Sequence, residues 1–271
     1  IDAEILVVVE APDGSYADAA DRTRTRSIVQ SARGYGGAVA SGFKAARGRW
    51  VLTMDADLSH RPTVVADLWA RRLEADVLIA SRYVPGGQAR MPASRLFLSR
   101  TLNVVFSRGL GLGVRDMSSG FRMYRASVLA SLGELPTNFD AVQTLLVRAY
   151  AEGFSVAEVP FTYEPRVHGR SNARVIRFGL DYLRTFGRLW AYRNSIACAD
   201  YDARAHDSAI PLQRYWQRSR HKYVTELIAG EGPVLDVGCG SSRIIGALPP
   251  GSVAVDVLFR KLRYARRFST R

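Results

Sequence analysis

Residues 50–60 read Trp-Val-Leu-Thr-Met-Asp-Ala-Asp-Leu-Ser-His: five mostly apolar positions of strand length that run into two carboxylates, Asp55 and Asp57. The run from Trp50 to Met54 is predicted to be a short buried strand. Carboxylates one residue apart on extended chain face the same side. Such a pair suits a divalent cation, a hard ion that takes oxygen ligands and keeps phosphate oxygens in its shell. Without a cation, two neighbouring negative charges in a partly buried cleft would repel each other at considerable cost.

Outward from this stretch, strands and helices alternate. Glu4 to Glu10 (EILVVVE) reads as a buried strand, followed by a turn at Pro12-Asp13-Gly14-Ser15 and an Arg-rich, helix-like stretch to about Ala32. Gly34 to Gly48 places small residues at helical spacing and ends on a glycine stop. Downstream, Pro62 opens a helix, and Asp76 to Ala80 (DVLIA) is a further strand. Helices are expected at Arg95–Arg108 and Phe139–Ala151, an extended segment at Phe154–Tyr163, and an amphipathic helix at Arg174–Tyr192. The order predicts an α/β fold, a mostly parallel sheet with helices on both faces. Ligands sit beyond the carboxyl ends of such strands, where Asp13, Asp57 and Arg82 fall.

Composition narrows the partners. The 271 residues are 47% hydrophobic and 23% charged, proportions of a folded chain rather than a disordered one. Net charge is +13, and only three of the 38 basic residues are lysines: Lys44, Lys222 and Lys261. Guanidinium forks match phosphate, so the basic charge points to polyanionic partners, nucleic acid, an anionic membrane surface or a phosphorylated substrate, and charge alone does not choose between them. Cys198 and Cys239 are too few for a disulfide scaffold, which points to a reducing, cytoplasmic setting. No apolar run approaches the roughly 20 residues that span a bilayer, and no signal peptide is visible. Ile1 leads directly into an apolar run, so the sequence is read as starting inside a longer protein.

The motifs share one order. The small-residue series Gly34, Gly36, Gly37, Ala38, Gly42, Lys44, Ala46 and Gly48 precedes Asp55–His60. After it come Ser81-Arg82-Tyr83, Gly86-Gly87, Arg95, Ser99-Arg100, Asn103, Asp116, Ser119-Gly120-Phe121-Arg122, Tyr124-Arg125, Glu158-Val159-Pro160, Arg166, Gly169 and Ser171. Over residues 4–172 this set resembles the dolichol-phosphate (polyprenyl-phosphate) mannosyltransferases, inverting family 2 glycosyltransferases with a GT-A fold. The resemblance implies transfer of mannose from GDP-mannose to a polyprenyl phosphate, by an enzyme peripheral to the inner, cytosolic face of the membrane. It implies Mg²⁺ or Mn²⁺ on Asp55 and Asp57, with Asp13, Gly14, Ser15, Gly37 and Ala56 at the nucleotide sugar. Arg82, Arg100, Arg122, Arg125, Arg166, Arg170 and Ser171 are the candidates for the substrate phosphates, Arg122 also for catalysis. Pro12 stands where the family's turn carries an acid, and the family's earlier strand, with its Pro-x-x-Asn-Glu type loop, is missing ahead of Glu4. The Arg174–Tyr192 helix has two readings, packing on its own domain or lying in the membrane interface.

A second domain is expected from residue 197, after a first of 1–196. Val234 to Gly240 (VLDVGCG) resembles the cofactor-binding turn of class I S-adenosylmethionine-dependent methyltransferases. Asp256 lies 20 residues after Asp236, at the spacing of a ribose-binding acid. The resemblance implies S-adenosylmethionine at Asp236, Gly238, Gly240 and Asp256, in a domain too short to be whole. Three rival readings remain at this stage: another nucleotide sugar such as UDP-glucose, or another acceptor; a basic nucleic-acid-binding protein; and a methyltransferase. Nucleic acid is not expected, because the arginines accompany glycine turns rather than clusters of exposed aromatics.

Overall fold

The computed structural model describes residues 2–10, 25–57, 59–138, 140–164 and 175–269, the side chains of 175–182 excepted. Two compact units divide the chain: Ile1–Ala149 with Ser155–Leu189, and Tyr150–Phe154 with Trp190–Arg271. The division crosses a helix at Leu189–Trp190, ahead of the boundary expected at 197.

In the first unit the elements are β1 (Ile5–Val9), β2 (Thr25–Val29), α1 (Tyr35–Ala45), β3 (Trp50–Thr53), α2 (Thr63–Ala70), β4 (Val77–Ser81) and β5 (Gln88–Ala89). They continue with α3 (Ala93–Gly109), β6 (Arg122–Arg125), α4 (Ala126–Ser131), α5 (Ala141–Ala151), β7 (Val156–Pro160), β8 (Thr162–Tyr163) and α6 (Val175–Arg193). The ends of α5 and α6 belong to the second unit. β1 and β2 pair in parallel, Ile5 opposite Thr25 through Val9 opposite Val29. The stretch expected to stay helical to Ala32 therefore contains a strand. Its β-branched Ile28 and Val29 fit the pleat, and β1 offers a row of unpaired main-chain groups.

The main sheet has the order β3-β6-β4-β7. β4 and β7 are parallel, whereas β6 runs antiparallel to both β3 and β4. Its sequence, Arg-Met-Tyr-Arg, carries no apolar run, and sequence reading did not make it a strand. Three of its four residues are nonetheless buried, because the strand lies in the middle of the sheet. The core beneath it gathers Leu68, Leu78, Phe121, Met123 and Phe161, with Trp50 and Leu52 packed against them.

The amphipathic α6 packs on its own unit. Phe186 meets Phe106 of α3 edge-on at 5.0 Å between ring centres, Thr185 and Arg188 bond Asp140, and Leu189 is buried. Of its two readings the contacts favour packing. Among the described residues no helix is long and apolar enough to cross a membrane.

The second unit carries α7 (Tyr201–His206), α8 (Pro211–Leu227), β9 (Leu235–Val237), a 3-10 turn (Arg243–Ala247), β10 (Val253–Val255) and α9 (Phe259–Ala265). β9 and β10 pair in parallel. A buried ion pair between Arg193 and Asp200 joins the end of α6 to the start of α7.

Candidate active site

Asp55, Ala56 and Asp57 lie just past β3, and a bend at Ala56 and Asp57 breaks the strand's alternation between the two acids. Strand alternation therefore does not orient the two acids; hydrogen bonds do. The Asp55 amide donates to His60 Nδ1 at 3.0 Å. Since a main-chain N–H can only donate, Nδ1 accepts, and a neutral His60 carries its proton on Nε2. His60 is buried, stacked on Phe121 with ring centres 4.8 Å apart. One oxygen of Asp57 accepts from the Ser59 amide at 3.1 Å and from Ser59 Oγ at 2.5 Å. The bend is thereby fixed at both acids by Ser59 and His60, two and three residues past Asp57.

Tyr35, the first residue of α1, approaches the same place. A Cβ built on Gly120 would stand 2.4 Å from the Tyr35 hydroxyl and 3.9 Å from Asp55 Oδ1, so only glycine admits the phenol beside the carboxylate. Burial, and then the Asp55 charge, push the Tyr35 phenol above its ordinary value. It is a neutral donor beside Asp55 across the physiological range. Thr53 Oγ1 donates to the Gly120 carbonyl at 2.7 Å, tying the end of β3 to the turn before β6.

A second network shapes the rim after β4. Arg82 forks onto Asp116 with bonds of 2.8 and 2.7 Å and also reaches Ser118 Oγ at 2.7 Å. Asp116 is fully buried; burial alone would raise its carboxyl, but the Arg82 bonds and charge outweigh this and hold it below the ordinary range. Glu158 of β7 accepts the Arg115 and Asp116 amides at 2.8 and 2.9 Å, and Asn103 Oδ1 accepts those of Met117 and Ser118. Sequence reading noticed Asp116, Asn103 and Glu158 within the motif series but gave them no role. Tyr35 went unmarked inside the glycine-rich series.

Three expected phosphate ligands are corrected by this geometry. Arg82 has its guanidinium engaged by Asp116 and Ser118 and is only 11% exposed at its side chain. Arg122 is fully buried and donates to the Val142 and Met117 carbonyls at 2.8 and 2.7 Å, so it braces main chain below the site instead of meeting substrate. Arg125 is opposite Trp50, at the start of β3 and thus at the far end of the strand from Asp55. It pairs there with Asp76 at 3.2 Å. Arg100 does reach solvent, 5.7 Å over the Tyr83 ring, and lines a groove of about 420 Å³ on α3 with Phe97, Thr101 and Val104. Gly37 proves to be a packing residue, since a Cβ there would lie 1.9 Å from the Ala32 carbonyl oxygen. Asp13, Gly14, Ser15, Arg166, Arg170 and Ser171 lie outside the described residues.

The glycine turn of the second unit is occupied by the chain itself. Asp256 accepts the Gly240 amide at 2.9 Å and the Leu258 amide at 2.7 Å. Asp202 takes the Ser241 amide at 3.0 Å and Lys261 Nζ at 2.9 Å, and would stand 2.5 Å from a Cβ on Gly240. Asp236 is half-buried, and burial raises its carboxyl. The Asp256 oxygens expected to hold a ribose thus hold main chain, and the S-adenosylmethionine reading of Asp236, Gly238, Gly240 and Asp256 gains no support.

Residues 2–133 match the profile described as glycosyl transferase family 2. The chain is 40% identical over 187 residues to the polyprenol monophosphomannose synthase of Mycolicibacterium smegmatis, covering 62% of this chain and 69% of that protein. It belongs to glycosyltransferase family 2. The undecaprenyl-phosphate mannosyltransferase of Micrococcus luteus is 34% identical over 188 residues, 63% of this chain and 75% of its own. Among solved structures, glucosyl-3-phosphoglycerate synthase from Mycobacterium tuberculosis, in complex with Mn²⁺ and UDP-glucose, superposes with a TM-score of 0.53 at 16% identity, covering 70% of this chain and 67% of that one. That likeness shows a shared GT-A fold. As a member of this family, the chain is a glycosyltransferase.

Proposed function

We propose that this glycosyltransferase moves mannose, with inversion, from GDP-mannose onto a polyprenyl phosphate at the cytosolic face of the membrane. The observation that carries the reading is the Asp55–Asp57 bend, braced by Ser59 and His60 at the end of β3. The names of the two relatives at 40% and 34% identity support the mannose donor and the lipid acceptor.

The residues fit a divalent cation of the Mg²⁺ or Mn²⁺ kind. Two carboxylates offer hard oxygens, and among the described residues no third acid, histidine or cysteine joins them in a cluster. A pair suits an ion whose other positions belong to phosphate oxygens and water. When bound, the ion supplies positive charge against the departing nucleoside diphosphate. Asp55 and Asp57 hold that charge in place, Ser59 fixes one Asp57 oxygen, and the Tyr35 phenol faces Asp55. An acceptor phosphate is already anionic near neutral pH and requires no general base. Arg100, with Arg166, Arg170 and Ser171, is assigned to orienting it, and Asp13, Gly14 and Ser15 to the nucleotide.

Labelled GDP-mannose, polyprenyl phosphate and Mg²⁺ or Mn²⁺ test the proposal directly: label should pass into the lipid phase. Asp57→Ala, or chelation of the metal, should abolish the transfer. Activity that survives either change removes the metal role. Transfer from UDP-glucose but not from GDP-mannose overturns the donor.

A further inference from the structure

Helix α8 is built with its polar side inward. Gln213, Gln217, His221, Val224 and Ile228, just past its end, are the half-buried row turned to the second unit, where the His221 ring lies 5.5 Å from that of His206. The row turned to solvent is Leu212, Trp216, Tyr223 and Leu227, exposed by 78, 66, 68 and 64%, with Tyr215 beside it at 70%. No residue of this 17-residue helix is fully buried. Surface helices normally present such an apolar stripe to the core and the polar row to water. A contiguous bulky stripe left in solvent marks a surface that meets something.

The flanks of the stripe identify what. Arg220 borders it on one side and Lys222 and Arg218 on the other, all exposed; Lys222 lies 3.8 Å from Glu226, the only acid on the helix, Arg218 lies 3.6 Å from Asp207, and Arg214 stands further round. From this we infer that α8 docks on an anionic phospholipid surface, with Leu212, Trp216, Tyr223 and Leu227 at the acyl boundary and the basic side chains on the headgroups. Trp and Tyr suit that depth, since one end of each ring system is apolar and the other accepts water. Long basic stems lie along the apolar layer and reach outward to phosphate. A second copy of the chain fits less well, because it would set the same arginines against themselves. The inference is independent of which sugar or acceptor the first unit uses. It also lies outside residues 2–133, over which the family profile matches.

The test is co-sedimentation of the full chain with vesicles of phosphatidylglycerol and phosphatidylcholine, compared with phosphatidylcholine alone. The chain should bind the mixed vesicles, and added salt should weaken that binding. Leu212→Ser with Trp216→Ser should lower the partition coefficient by more than about tenfold. Arg220→Gln with Lys222→Gln should lower it about tenfold on anionic vesicles and far less on neutral ones. These positions are exposed, so the fold is expected to persist, checked by circular dichroism. GDP-mannose binding, which reads the first unit, should not change in either variant. Vesicle binding that is absent, or undiminished in the serine variant, overturns the inference. So does a dimer in sedimentation velocity that Trp216→Ser dissociates, or binding to single-stranded DNA in place of vesicles.

Discussion

His60 and Ser59 matter because a bend, unlike a strand, does not by itself aim its side chains. His60 takes the Asp55 amide on Nδ1. Asparagine can offer an oxygen near that point and leucine cannot, so His60→Asn should keep about ten times more transfer activity than His60→Leu, the worth of one buried hydrogen bond. Single-turnover rates at saturating donor measure this. Arg122 now belongs to stability. Arg122→Met leaves the Met117 carbonyl without its donor and takes a second donor from the Val142 carbonyl, which keeps its bond within α5; it should cost about 1–3 kcal/mol, read in urea unfolding, with donor KM little changed. Asp116 gives the acid limb. Its carboxyl is held below the ordinary 3.8, so the stability it contributes is complete above that value and lost as pH falls through the folded value. Asp116→Asn should therefore flatten the fall of Tm with pH below about 4, the sign expected of a depressed acid.

Among the elements, α1 shows how a loose sequence pattern becomes a strict requirement. The small-residue series was legible as a helix, but the reason for particular glycines was not. Gly36 needs its missing side chain because a Cβ would stand 1.9 Å from the Pro136 carbonyl oxygen, on a loop about a hundred residues away in sequence. Gly36→Ala should cost about 1–3 kcal/mol or more, measured by thermal melting, since main chain must move to admit the methyl. β6 is the opposite case. Its two arginines hid it from periodicity, yet it pairs with both β3 and β4 and sets the register that carries Arg125 away from the acids.

For the molecule as a whole, charge and division into units make separate predictions. Within the second unit, the buried Arg193–Asp200 pair ties the end of α6 to the start of α7. Asp200→Ala leaves that guanidinium without its main partner and should cost about 3–5 kcal/mol, seen as an earlier calorimetric transition. A net charge of +13 should draw phosphorylated substrates at low ionic strength. From about 50 to about 300 mM salt, kcat/KM for the lipid phosphate should fall several-fold while kcat stays level, as expected for screened encounter.

The sequence alone determined the alternation of strands and helices, the position of Asp55 and Asp57 after an apolar strand, and the family, because each is written in neighbouring residues. Tertiary structure alone decided which arginines are available. Arg82, Arg100, Arg122 and Arg125 are the same residue type with similar local surroundings. One is clamped by an acid 34 positions away, one is open to solvent, one is sealed beneath the sheet, and one lies at the wrong end of a strand. Partner and burial are properties of contacts between distant segments, and a guanidinium acquires its role only when those contacts form.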